Sequence, residues 1–411
     1  MLILMIPLLS FRVRNMVLFR LVITRVLCLY KNCWYRLYFM NEDIGKWILI
    51  LIWIILILIN LRCPPTLGMA CILTLLALSL QLLFTVNSLV GFYIIFELCL
   101  LPVFGIILGW GGQPERLSAG LYMLFYTLCT SLPFIGWAFT SNVNFFIELI
   151  EWTTRVRLFI LLPFIVKTPI YLLHIWLPKA HVEAPVRGSI GLAGVLLKVG
   201  RYGVWYMVQA CSRLVILILA GLLITGRALA RMITSSQIDL KALIAYSSVA
   251  HIGILTLALL ISSHVLNLGA LIIILAHGMS GRGLFYWGRV IYERTNTRSL
   301  MLVRGMSEII PVSTLIWIIL ILINLRCPPT LGIWAEILII PGLITFSWWR
   351  RIRLFILMIG VVLYSLSLYF IIRHGEAGWR AGEEANIKEL IVGFMHLISA
   401  WSAPWLLWLL E

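Results

Sequence analysis

The chain has 411 residues, 62% of them hydrophobic, and a mean hydropathy of +1.05. A soluble fold of this length could not hide so much apolar surface, and lipid admits only helices or closed barrels, because every backbone polar group must be paired internally. Apolar runs recur almost end to end without strand-like alternation, so the chain reads as an all-α, polytopic transmembrane bundle. The formal charge of +16 rests on 25 arginines against 7 lysines. In short loops a basic excess is a topology signal rather than a nucleic-acid surface, so no nucleic-acid partner is expected.

Residues 1–46 form a poorly defined N-terminal region, where Arg12, Arg14, Arg20 and Arg25 interrupt two weak apolar stretches without the pattern of a cleavable leader. From there the runs are clear. Two N-terminal spans, 47–61 and 69–86, are followed by 88–108, 117–139, 158–177, 188–209 and 214–230. A second group comprises 243–262, 266–291, 309–325 and 333–347, and the C-terminal region, 353–411, holds 353–372 and 390–409. That makes about 13–14 helices at bilayer-crossing length. The polar stretch from 373 to 389 reads as a solvated connection.

One segment is duplicated. LIWIILILINLRCPPTLG stands verbatim at 51–68 and 315–332, too similar for an ancient repeat and too few copies for a solenoid. The copies then diverge, so that Glu336 aligns with Ile72. Eight cysteines (28, 33, 63, 71, 99, 129, 211 and 327) are scattered through apolar runs with no CxxC pair, so neither a metal site nor a disulfide framework is expected.

Charges inside these runs carry the functional signal, because an ionisable group in hydrocarbon costs several kcal/mol unless it faces a partner, a cavity or a proton path. Lys167 lies deep in the run 158–177, shortly before Pro169 and Pro178, and Lys198 stands well inside the run that starts at Gly188. Lysine can shed its proton when buried and arginine effectively cannot, which gives these two positions a reason to be lysine. Glu97 sits alone in SLVGFYIIFELCLLPVFGIILGW. It is either a bundle-holding hydrogen bond or a functional carboxylate, and an ion pair with a lysine on a neighbouring helix serves both. Glu336 follows Pro328, Pro329 and Gly332, the setting of a broken helix lining an ion site. His277, deep in LIIILAHGMSGRGLF, suits a proton relay; His251 suits packing equally well, and His174, His181 and His396 lie nearer span ends with open roles. Nucleophile–base motifs, nucleotide loops and haem-ligand pairs are lacking. Separated ionisable groups on separate helices point to ion movement.

The motifs LPKAHVEAP and LLKVGRYG resemble those of the antiporter-like membrane subunits of proton-pumping NADH:quinone oxidoreductase (complex I). FYIIFELCLLP, WGGQPERLSAGLYMLFYT, DLKALIAYSSVAHIG, LAHGMSGRGLF, YERTNTRSL and CPPTLGIWAEILII are similar to the chain 4 family in particular, in order from about Gly91 to Glu336. The resemblance implies two inverted five-helix repeats, each with a broken helix, in a first half at 88–230 and a second at 243–347. It implies Glu97 and Lys167 as a switch pair, Lys198 as central carrier, His277 as relay and Glu336 as terminal carboxylate. It also implies that NADH, FMN, iron–sulfur clusters and ubiquinone belong to other subunits, with no cofactor in this chain. Expected partners are neighbouring antiporter-like subunits and phospholipids, in the mitochondrial inner membrane or else a bacterial plasma membrane.

The sequence departs from that pattern where Arg187, Arg201, Arg227 and Arg282 replace small or apolar residues. Arg201 lies one helical turn beyond Lys198. Pointing inward it would oppose a charge on Lys198; snorkelling to the interface it would not. Two rival readings remain: a subunit of a multisubunit cation/proton antiporter, against which WGGQPERLSAG and YERTNTRS speak, and a non-conducting structural subunit.

Overall fold

The computed structural model describes residues 66–84, 86, 88–140, 154–208, 213–344, 348–375 and 386–408. The N-terminal region 1–46, the span 47–61 and nearly all of the first copy of the duplicated segment lie outside the described residues. The described residues are helical, with one isolated β-bridge between Asp239 and Ser299.

Helix α1 (Leu67–Leu83) leads to α2 (Leu89–Leu98) and α3 (Leu100–Trp110), which run on as one span, and then to α4 (Arg116–Thr140). The apolar run expected as a single span at 158–177 is two pieces: α5 (Thr154–Lys167) stops at the lysine, and α6 (Trp176–Glu183) resumes after an eight-residue irregular stretch, 168–175. Pro169 explains the stop, since it lacks a donor and disfavours helical geometry at Thr168. Within the break Leu172 takes a left-handed φ of 84°. A break at this depth frees carbonyls that need partners. Trp176 Nε1 donates to Val166 O at 3.1 Å, and the Thr168 hydroxyl donates to Phe164 O at 3.0 Å.

The next span also departs from a plain helix. A short α7 (Val186–Gly191) widens into a π-helical turn (Leu192–Leu196) before α8 (Leu197–Met207). After α9 (Arg213–Ser236) come the two central helices, α10 (Leu240–Ile261) and α11 (His264–Thr295), apolar and buried on nearly every face. Helices apolar all round belong inside a bundle or membrane. A short α12 (Met306–Ile309) precedes α13 (Pro311–Leu325), and α14 (Leu331–Ile344) follows a second break at 326–330, where Arg326 has a left-handed φ of 68°. Helices α15 (Trp348–Arg373) and α16 (Ile387–Trp408) close the described chain.

Direction alternates, so connections fall on two faces. One face gathers 111–115, 184–185, 237–239 and 296–305, tied by Leu240 N to Arg298 O at 3.0 Å and Leu300 N to Ile238 O at 2.8 Å. On the same face Ser307 Oγ donates to Arg373 O at 2.8 Å, and Arg294 pairs with Glu389 at 2.6 Å, fastening α15 and α16 to the centre. On the outside, Leu117, Leu121, Phe125, Leu128 and Leu132 form an exposed stripe along α4 at helical spacing. Lipid or an apolar neighbour suits it.

Candidate functional site

The five candidate residues all lie within the bundle, and they fall into three groups. In the first, Lys167 Nζ pairs with Glu97 Oε1 at 3.0 Å, donates to Phe96 O at 3.1 Å and lies 3.4 Å from the centre of the Phe96 ring. Lys167 is the last residue of α5, so the break lets its side chain leave the helix end and meet α2. Its side chain is 2% exposed and that of Glu97 16%. A pair buried this way is stabilising mainly in the sense that removing one partner strands the other, at about 3–5 kcal/mol.

Lys198 forms the second group. It is fully buried on α8, and its Nζ donates to Ala193 O, a carbonyl in the π turn. The extra residue per turn in a π segment turns a carbonyl out of the α-helical ladder, here toward the lysine. Among the described residues no carboxylate lies within ion-pair distance of Lys198; its charged neighbours are Arg201 and Arg282. Arg201 is 1% exposed, so it points inward, and the snorkelling alternative is set aside. Arg227 and Arg282 are buried as well, and Arg187 half-buried.

The two lysines are joined through backbone packing. Gly200 stands where a Cβ would come within 3.1 Å of the Lys167 backbone and Cβ, and the Gly203 position abuts the Phe164 ring. These glycines let α8 ride against the end of α5.

The third group surrounds the second break. Glu336 forms an ion pair with Arg326, the residue at the C-terminus of α13, and both are buried. Arg326 Nη2 also donates to His251 Nδ1 at 2.8 Å. A guanidinium only donates, so Nδ1 is the acceptor and the proton sits on Nε2, which donates to Tyr364 OH at 3.2 Å. Asn324 donates to the same hydroxyl at 3.2 Å. His251 is thereby a hydrogen-bonded packing residue. His277, its ring 5.6 Å from that of His251, has neither ring nitrogen hydrogen-bonded within the protein. The two histidines, Ser280, Asn324 and Arg326 line a cavity of about 10 Å³, close to the room one water needs.

Sequence reasoning missed Arg326 and Tyr364, although Arg326 adjoins the proline pair that flagged the break. The expectation that His396 lies near a span end is corrected. It sits in mid-α16, 1% exposed and 5.4 Å from the Tyr286 ring. His174 stacks on Tyr171 inside the first break at 5.0 Å. Among the described residues no three metal-ligating side chains cluster.

Comparison with known proteins identifies the family of the chain. Residues 86–367, which hold all five candidates, match the family model described as NADH:quinone oxidoreductase/Mrp antiporter, transmembrane. The chain is similar to NADH-ubiquinone oxidoreductase chain 4 of Ceratitis capitata, 38% identical over 333 residues, covering 78% of this chain and 75% of the relative. In fold it is similar to a chain of respiratory complex I from Thermus thermophilus, with a TM-score of 0.75 and 24% identity over 88% of this chain and 81% of that one. It also resembles a chain of the Mrp complex from Dietzia sp., with a TM-score of 0.73 and 16% identity over 81% and 66% of the two chains. The chain belongs to the NADH:quinone oxidoreductase/Mrp antiporter family of membrane subunits.

Proposed function

We propose that the chain is the proton-translocating, chain-4-type subunit of the membrane arm of respiratory complex I in the mitochondrial inner membrane. The observation that carries this reading is the buried sequence of ionisable groups: the Glu97–Lys167 pair at one helix break, Lys198 beside a π turn, His277 with unpaired ring nitrogens, and Glu336 at the second break. NADH oxidation and ubiquinone reduction belong to other subunits, with their flavin and iron–sulfur clusters, and this chain contributes no redox centre. Its partners are neighbouring antiporter-like subunits and phospholipids.

Lys167 is held as a cation by Glu97 while the pair is closed. Opening the pair, driven by redox chemistry elsewhere in the complex, changes the field at Lys198, whose helix touches Lys167 through Gly200. Lys198 then passes its proton through His277 and water toward Glu336, which releases it. Moving one charge against 100 mV takes about 2.3 kcal/mol, within reach of an ion pair opening in a dry interior.

The multisubunit antiporter reading shares the fold, and the 38% identity with a chain 4 relative favours the complex I assignment over it. Replacing Lys198 by methionine keeps side-chain bulk and removes the proton carrier. In proteoliposomes the Lys198→Met complex should lose its contribution to the proton-to-electron ratio. An unaltered ratio would leave only the structural-subunit reading.

A further inference from the structure

The first ion pair sits against an aromatic layer shared by α2, α4 and α5. Phe96 lies 4.9 Å and Phe134 5.6 Å from the Phe164 ring, Phe92 lies 5.9 Å from Phe96, and Tyr93 lies 5.0 Å from Phe134. Of these rings only that of Tyr93 bears a polar group. Tyr93 is 3% exposed, and among the described residues its hydroxyl has no hydrogen-bond partner. Phenylalanine would fill the same space without stranding a buried donor, so the hydroxyl needs a reason to be there.

Glu97 stands four residues after Tyr93 on α2, one turn on along the same face. A helical side chain leans back over the turn before its own, which brings Glu97 toward Tyr93. Glu97 gives Oε1 to Lys167 at 3.0 Å, while Oε2, also buried, accepts no hydrogen bond among the described residues. The tyrosine lies in the field of this carboxylate. The other polar group near it, the Ser131 hydroxyl of α4, is turned to Leu128 O at 3.0 Å. A donor and an acceptor thus stand one turn apart, unjoined while Lys167 holds the carboxylate.

Resting on the reading of Glu97 and Lys167 as the switch pair, we propose that Tyr93 is a positioning residue that takes over Glu97 when the pair opens. A change of side-chain torsions carries the carboxylate from Lys167 to the Tyr93 hydroxyl, which donates a charge-assisted hydrogen bond to it. The phenol keeps its proton, so only hydrogen bonds are exchanged. Lys167 is 2% exposed and also bonded to Phe96 O, whereas Glu97 is 16% exposed, so once the pair parts the carboxylate is the arm with room to swing. Without a second partner, an opened Glu97 would be a lone charge against aromatic rings and would fall back to Lys167. With Tyr93 the switch has two resting positions, and the open one lasts long enough to act on Lys198.

The test compares Tyr93→Phe and Glu97→Gln with the wild-type complex in proteoliposomes, reading NADH-driven turnover, Michaelis constants and protons moved per electron. Tyr93→Phe keeps the ring against Phe134 and removes only the hydroxyl. It should keep the wild-type ratio and the Michaelis constants for NADH and ubiquinone, while turnover falls about tenfold, the weight of one hydrogen bond to a charged group. Infrared difference spectra between oxidised and reduced complex, assigned with ring-deuterated tyrosine, should show a tyrosine C–O band that shifts in the wild type. That band should be missing from both variants. Wild-type turnover in Tyr93→Phe, with Glu97→Gln impaired, overturns the latch and leaves the switch pair standing. A fall in turnover with the band still present in Tyr93→Phe also overturns it, since the loss would then come from packing. Wild-type turnover and ratio in Glu97→Gln overturn the switch pair itself. Should Tyr93→Phe fail to assemble, the Glu97→Gln spectrum decides alone, and a tyrosine band unchanged from wild type overturns the latch.

Discussion

The two helix breaks solve the same physical problem with different residues. At the first, 168–175, a lysine ends α5 and reaches Glu97 on a helix far away in sequence, so the pair clamps two helices together. At the second, 326–330, an arginine ends α13 and reaches Glu336 only ten residues on, inside the same broken unit, and it leans on His251 as well. Lysine can lose its proton in a dry site and arginine effectively cannot. The first break therefore holds a charge that can be switched off, the second a fixed one around which only the carboxylate can change.

The largest expected effect separates these cases. Glu97→Gln leaves Lys167 stranded, at a cost of about 3 kcal/mol, the lower end of the range for buried pairs because Glu97 keeps 16% exposure. Lys167 can relieve that cost by giving up its proton. Glu336→Gln strands Arg326, which has no such escape. Thermal inactivation of the two complexes should diverge as pH rises, with the Glu97 variant recovering and the Glu336 variant not. Parallel behaviour at both breaks would remove the distinction.

A smaller effect addresses packing. Gly332 stands where a Cβ would come within 2.6 Å of the Arg326 stem, and Gly200 where one would press on Lys167. Alanine at either site should destabilise by about 1–3 kcal/mol through overpacking. Gly200→Ala should also slow proton pumping per electron, since it acts on the switchable pair, whereas Gly332→Ala should displace a fixed cation. Equal effects on pumping would argue against the contrast. Smallest is Trp176→Phe, which strands the Val166 carbonyl at the first break and should cost about 1 kcal/mol in thermal stability. No shift in the inactivation midpoint would mean that another group takes up this carbonyl.

The spans were readable because a bilayer demands long apolar runs, and α9 to α11 and α13 to α16 follow such runs, whereas the run 158–177 is broken into α5 and α6. Glu97, Lys167, Lys198, His277 and Glu336 stood out for the same reason: charge inside such a run is conspicuous. What composition could not supply was partnership. Glu97 and Lys167 are far apart along the chain, and only the family resemblance coupled them before their 3.0 Å contact was seen. Arg326 was hidden by ordinariness, one arginine among many beside a proline pair. The π turn at Leu192–Leu196 leaves no mark in an apolar run, since it is a matter of one extra residue in a turn.

The duplicated segment gives a natural control on context. In its second copy a Cβ at Gly332 would press on Arg326, while in the first copy a Cβ at the corresponding Gly68 would lie 3.5 Å from the Trp110 indole and the position of Glu336 is taken by Ile72. One glycine of the repeat thus meets different neighbours in its two copies, and the carboxylate that follows the second copy has no counterpart after the first.

The contact between Gly200 and Lys167 has a mechanical consequence. With no side chain between them, the end of α5 and the middle of α8 behave as meshed teeth. A shift of the α5 end that withdraws Lys167 from Glu97 presses on α8, the helix that carries Lys198 against its π turn. Timing between the two lysines then needs no relay of side chains. It is set by the clearance at one glycine, and the methyl group of an alanine is large enough to jam it.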